Sequence, residues 1–338
     1  MTLAGLRKAR ALPLIVRLLV VGASAAFLAR GIAWRTVAAH LRHARVVWLA
    51  LVVALNGGML AVKAVRLCRL ARPGALSFGA ALRALLGASA INNVTPLRGG
   101  DVARLWMLER HAGVTKSDAL AIAVAERLIE MLALAALALG AALLAPGQRW
   151  ALIAAPLVLV GTAGLLLGLR RLRPHRLRAL GGRGATARIL ALSLAAWMLE
   201  ITMLMVCGRA LGLRIGPALA PLLLLGINLA LTLPSTPANA GPFESATVVV
   251  LGLAGIGPGP AAAFAILYHA AQVLPVTLVG LAVASRALAG RRSSRPPDRS
   301  SVPDPAARSP GALERRPRAD YAGAARASCG GAVPPSFE

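Results

Sequence analysis

Apolar residues in this chain fall in runs, not in alternation. Six runs, over residues 11–29, 46–62, 118–145, 150–169, 189–207 and 261–284, match the length of a membrane-crossing helix, which takes about 20 apolar residues. Two further apolar stretches are interrupted. Leu76 to Val94 carries Arg83, Gly79, Gly87, Ser89, Asn92 and Asn93, then meets Pro96 and Gly99-Gly100. Residues 217–254 repeat that plan: an apolar helix, Asn228, Pro234-Ser235-Thr236-Pro237, Gly241-Pro242-Phe243-Glu244, and a second apolar helix. Non-helical backbone at membrane depth survives only when protein or a wet cavity surrounds it. The pattern predicts an all-α polytopic membrane protein with about six spanning helices and two re-entrant broken-helix hairpins, the first over 75–112. Residues 31–45 read as an amphipathic surface helix, with Trp34, Val37 and Leu41 opposed to Arg35, Arg42 and Arg45.

Composition supports this. Of 338 residues, 57% are hydrophobic and 15% charged, against about 25% charged in soluble domains. The net charge of +26 comes mostly from Arg in short loops between apolar runs. That distribution orients membrane proteins and gives no basic face for nucleic acid. Arg170, Arg171, Arg173, Arg176, Arg178, Arg183 and Arg188 place their loop in the cytoplasm. A second span ending near Val62 delivers Lys63, Arg66, Arg69 and Arg72 to the same side. The basic residues of 30–45 then fall on the outer face, against the rule. Ala23-Ser24-Ala25 resembles a signal-peptidase site, but Arg17 within the run favours a retained span. Residues 1–289 form the membrane domain. Residues 290–338, rich in Pro, Arg, Ser and Ala, form a basic cytoplasmic tail expected to be disordered. The chain is expected in the inner membrane with both termini cytoplasmic. Cys68, Cys207 and Cys329 and the five His residues show no disulfide or metal-ligand spacing, so no metal or other cofactor is expected.

The two interrupted regions align. Gly113-Val114 stands before Ala119 as Gly255-Ile256 stands before Ala261, and Glu126-Arg127 matches Tyr268-His269. Opposed units with interrupted helices in matching positions are a transporter signature, with the substrate site between the halves. An inverted repeat also puts the basic tail in the cytoplasm.

Charge inside the apolar runs is the candidate chemistry. Each isolated charge at the bilayer centre costs about 2.5–3.5 kcal/mol, so Glu126, Arg127 and Glu130 are expected to face the interior and satisfy one another. They read as an anion or coupling site, or as a salt bridge joining helix to hairpin. Arg98 and Arg104 flank the Gly-Gly-Asp turn, and their forked donors suit phosphate oxygens. They read as headgroup ligands together with Arg127, Asn92 and Asn93, or as anchors snorkelling to the surface. Asn92 and Asn93 alternatively cap the broken helix. Asp101, Glu126, Glu130, Glu200 and Glu244 are candidates for coupling or gating. Pro96, Gly99, Gly100, Pro234, Pro237 and Gly241 are candidate hinges. No nucleophile–His–acid set, P-loop or dinucleotide fingerprint is present.

The motifs Asn92…Pro96-x-Arg98-x-Gly100-Asp101-x-x-Arg104, Glu126-Arg127, Pro234…Pro237…Gly241-x-x-Glu244 and Gly255-Ile256 resemble the lysylphosphatidylglycerol synthase transmembrane (flippase-like) family over roughly 10–288. The resemblance implies binding or movement of an anionic, polyprenyl-type or hopanoid lipid across the membrane. Members that make aminoacylated lipids carry a soluble transferase domain after the membrane part. Here only the tail follows, so an enzyme is not expected. His269 stands where the second unit of the family often has Arg, which weakens the second anion contact. The alternatives are a non-catalytic partner of a lipid or envelope biosynthetic enzyme, or a membrane lipid-modifying transferase.

Overall fold

The computed structural model describes residues 18–70, 76–95, 99–112, 115–144, 149–172, 183–231 and 236–293. Those residues form helices α1 (Leu18–Gly31), α2 (Trp34–Arg42), α3 (Val46–Leu70), α4 (Phe78–Val94), α5 (Gly99–Ala112), α6 (Lys116–Leu144), α7 (Arg149–Leu172), α8 (Arg183–Ala210), α9 (Leu219–Ala230), α10 (Pro242–Leu253) and α11 (Pro258–Ser293), with a 3₁₀ turn at Pro237–Asn239 before α10. A shorter helix pair followed by a long helix occurs twice, as α4, α5, α6 and as α9, α10, α11. The compact unit ends at Gly290. The tail from Ser294 lies outside the described residues.

Among the described residues, three helices are long and apolar enough to span a bilayer: Val46–Leu70, Ala187–Ala210 and Pro258–Val283. α1 and α2 make a fourth if counted as one span bent by 83°. The expected six spans are therefore not reached among the described residues. α6 has 29 residues but carries Glu126, Arg127 and Glu130, and the described apolar part of α7 is the shorter stretch Leu152–Gly164. The helix expected over 31–45 forms but is shorter, at Trp34–Arg42, with Trp34 exposed and Val37 buried.

The larger correction concerns α3. It does not stop at Val62 but runs to Leu70, because apolar residues continue on one face past Lys63: Ala64, Leu67 and Leu70 are all buried. Arg66 travels with them into the interior instead of ending in a cytoplasmic loop.

Packing is close because the contact residues are small. α3 lies along α8, α6 along α7, and α4 along α5. Gly100 of α5 sits so near the Ala88 carbonyl of α4 that a Cβ there would overlap it. Gly280 of α11 meets the Leu86 carbonyl in the same way. Gly100 is helical and makes this close contact from the first turn of α5. Gly241 does need its freedom: its φ is 97° where the chain turns into α10. α4 also packs against the 3₁₀ turn, so the first helical hairpin touches the second break. Pro96 and Pro234 lie outside the described residues.

Gly100→Ala is expected to destabilise by about 1–3 kcal/mol through overpacking. Gly57→Ala, whose added Cβ meets nothing within 4 Å, is expected to be neutral or slightly stabilising. Thermal unfolding of the two variants in the same detergent measures the difference.

Candidate functional site

A long apolar helix can keep ionised side chains only if they find one another, and Arg66 is where they meet. Its guanidinium is 2% exposed. Nη2 donates to Glu126 Oε1 at 2.6 Å and to Glu130 Oε1 at 2.5 Å, and Nη1 donates to Ser193 Oγ at 3.0 Å. Glu126 and Glu130 present to the same side because they are one helical turn apart on α6. Ser193 comes from α8 and returns its own proton to the Ile189 carbonyl. Trp197, one turn further along α8, donates Nε1–H to the Glu130 carbonyl at 3.0 Å. One arginine thus joins α3, α6 and α8.

Arg104 on α5 brings the first hairpin to this cluster, with Nη2 3.0 Å from Glu126 Oε2. The ion pair is close but not aligned as a hydrogen bond, so Glu126 Oε2 has no hydrogen-bond donor among the described residues. The Nε–H groups of Arg66 and Arg104 are likewise buried without an acceptor among the described residues. Buried donors of this kind cost about 1–3 kcal/mol each when unsatisfied.

Arg127 does not face the interior as expected. Its side chain is 44% exposed and reaches Glu130 Oε2 only at 3.6 Å. Arg66 occupies the place predicted for it. The signal for Arg66 was the apolar face continuing through Ala64, Leu67 and Leu70, which outlasts the basic residues around it.

At the first break, Asn92 Oδ1 accepts from the Gly100 N–H at 2.8 Å and Asn92 Nδ2 donates to Asp101 Oδ1 at 3.2 Å. Asn92 therefore caps α5, satisfying an amide that the helix start leaves free. Asn93 Nδ2 donates to Thr277 Oγ1 on α11 at 2.8 Å. Both amides are spent within the protein. Arg98 lies outside the described residues.

At the second break, Glu244 performs the matching task. Its Oε2 accepts from the Gly241 N–H at 2.6 Å, capping α10. Its Oε1 is 2.5 Å from His269 Nδ1, and His269 Nε2 is 2.9 Å from the Ala238 carbonyl. Phe243 stacks on the imidazole at 4.4 Å. His269 therefore serves Glu244 and the turn, a role that no motif in the sequence marked.

A family model described as the lysylphosphatidylglycerol synthase TM region matches residues 14–280. The chain belongs to that family. Comparison with curated proteins gives no match. The matched region holds both breaks and every charged residue described above.

Glu200 lies between the two clusters of this family domain. Gln272 Nε2 is 3.4 Å from Glu200 Oε1 and 2.9 Å from the Tyr268 hydroxyl, and Asn56 donates to the Gln272 carbonyl at 3.1 Å. Lys63 and Arg127 lie within electrostatic reach of both Glu130 and Glu200. Polar groups thus lead from Arg104 to Tyr268, the neighbour of His269.

Arg66→Leu strands two buried carboxylates and is expected to cost about 3–5 kcal/mol. Arg127→Gln removes a half-exposed contact and is expected to cost under about 1 kcal/mol. Unfolding in detergent, followed by Trp fluorescence, orders the two.

Proposed function

We propose that the chain binds the headgroup of an anionic or polyprenyl-type lipid at the Arg66–Arg104–Glu126–Glu130 cluster and carries it between leaflets of the inner membrane. The reading is of a carrier, not a catalyst. One observation carries it: among apolar helices, two buried arginines (Arg66, Arg104) meet two glutamates (Glu126, Glu130) and still leave two guanidinium Nε–H groups unpartnered among the described residues, with the half-exposed Arg127 at the edge of the cluster. A cluster built only to hold helices together gains nothing from surplus donors, since each is a cost. A phosphate-bearing headgroup supplies the missing acceptors, and arginine matches its oxygens in a planar fork. Arg104 is the residue best placed to exchange partners, since its bond to Glu126 is unaligned and its helix belongs to the broken pair.

Several features support a carrier with two opposed halves. The helix order recurs, each break is capped by a side chain from its own hairpin, and α4 packs on the second break. Inverted repeats with broken helices work by rocking one half against the other around a central site. In this reading both termini face the cytoplasm.

The family's name favours a second reading, in which the membrane domain serves a lipid-synthesising enzyme as a non-catalytic partner. Exchange of labelled phosphatidylglycerol and polyprenyl phosphate in reconstituted liposomes separates the two. The carrier reading expects leaflet exchange well above protein-free vesicles, reduced at least about tenfold by Arg104→Gln, the loss of a charge-assisted bond of roughly 1.5–3 kcal/mol. Exchange at the protein-free rate for every lipid leaves the partner reading.

A further inference from the structure

The hydrogen-bond chemistry at His269 fixes more than its position. The Ala238 carbonyl only accepts, so the imidazole must donate to it from Nε2. The ring's other nitrogen then faces the Glu244 carboxyl at 2.5 Å, and this contact closes only if a proton lies between them. The proton sits on Nδ1, giving imidazolium and carboxylate, or on the carboxyl, giving imidazole and acid. Without it, the Nδ1 lone pair meets a carboxylate oxygen and the two repel.

We propose that the His269–Glu244 pair is a proton-binding clasp that holds α11 to the second break, and that releasing one proton opens it. The inference rests on the carrier reading for its purpose: it names the ion whose binding is coupled to movement. Closing takes one proton from water onto the pair, and opening returns one to water. No other reactant is needed.

The clasp is placed where opening has an effect. His269 reaches across to a turn in which Ala238 and Asn239 have φ of 54° and 59° and Gly241 has φ of 97°. Positive φ at residues other than Gly persists only when neighbours hold it. The hydrogen bond to Ala238 O is such a hold, and the stacked Phe243 ring at 4.4 Å keeps the imidazole in place. The same carboxylate caps α10 through Gly241, so the proton, the cap and the turn share one side chain.

The surroundings leave the pair to govern its own charge. On α11, Tyr268 is beside His269 and accepts from Gln272. From α8 come Glu200, on the far side of Gln272, and Cys207, near Tyr268. α1 brings the Ser24 side chain to Gly241, and α10 adds the buried Ser245 hydroxyl. α4 packs against the turn and has no charged residue between Leu85 and Val94. Among the described residues, none of these elements brings a cation to the pair.

Glu244→Gln is the discriminating variant. The amide oxygen still accepts from Gly241, and the amide NH₂ donates to the Nδ1 lone pair of neutral His269. The clasp is then held by neutral His269 and needs no bridging proton. The test uses the full chain with its three cysteines replaced by alanine and Asn239→Cys as reporter, in phosphatidylglycerol vesicles. Maleimide labelling is normalised at each pH to the same chain unfolded in detergent. With Glu244 and His269 present, labelling is expected to rise about tenfold per pH unit above a single inflection, as one-proton linkage requires. Glu244→Gln is expected to label slowly from about pH 7.5 to about pH 9, above the ordinary imidazole range, and His269→Arg, a permanent cation between the same acceptors, likewise. Labelling independent of pH in the parent chain, or an unchanged inflection in Glu244→Gln, overturns the clasp. Lipid exchange is read on the same vesicles. A titrating label without exchange keeps the clasp and removes the carrier; exchange with a flat label does the reverse.

Discussion

The fold depends on burying one guanidinium. Arg66 sits with two glutamates, a serine and a second arginine amid helices made largely of Ala, Leu and Val. Taking these charges out of water costs several kcal/mol per ion, and attraction across less than 3 Å returns it only while all partners are present. The cluster therefore imposes an all-or-none relation on three helices from distant parts of the chain. α3, α6 and α8 must sit in one register for Arg66 to reach Glu126, Glu130 and Ser193 at once. Apolar packing among Ala and Leu, which tolerates sliding, sets no such register. Specificity here comes from the polar atoms and adhesion from the apolar ones.

The two breaks solve a common problem with different chemistry. A helix that starts inside the protein exposes free amides, and each break supplies a side-chain oxygen from its own neighbourhood. Asn92 does so for α5 and Glu244 for α10. An amide cap is neutral and stays put at any pH. A carboxylate cap brings a charge, which then needs a partner, and His269 is that partner. One choice of capping residue makes the first break passive and the second responsive to its ionic surroundings.

Much of this was legible in the sequence. The interrupted stretches were marked by Pro and Gly, the family by the motifs at Asn92–Arg104 and Gly241–Glu244, and the buried acids by their place in an apolar run. Arg66 was hidden because Lys63, Arg66 and Arg69 look like a cytoplasmic loop, and positive residues after an apolar run ordinarily end it. Only the spacing of Ala64, Leu67 and Leu70 argues that the helix continues. Arg127 misled for the opposite reason. Its neighbours Glu126 and Glu130 are buried, but a residue one position along a helix points about 100° away. His269 was marked by its match to Arg127, but its partners were not, since they are 25 and 31 residues distant in sequence and meet it only through the turn at Ala238.

α11 deserves a mechanical reading. On one side of Pro275 it grips the second break through His269; on the other it grips α4 through Thr277 and the close approach of Gly280 to Leu86. Proline removes a backbone hydrogen bond and leaves the rod weakest between its two grips. The first hairpin and the second break are thus fastened to one beam with a joint in its middle. Such a beam transmits tilt from one fastening to the other, and the joint decides how much of it arrives.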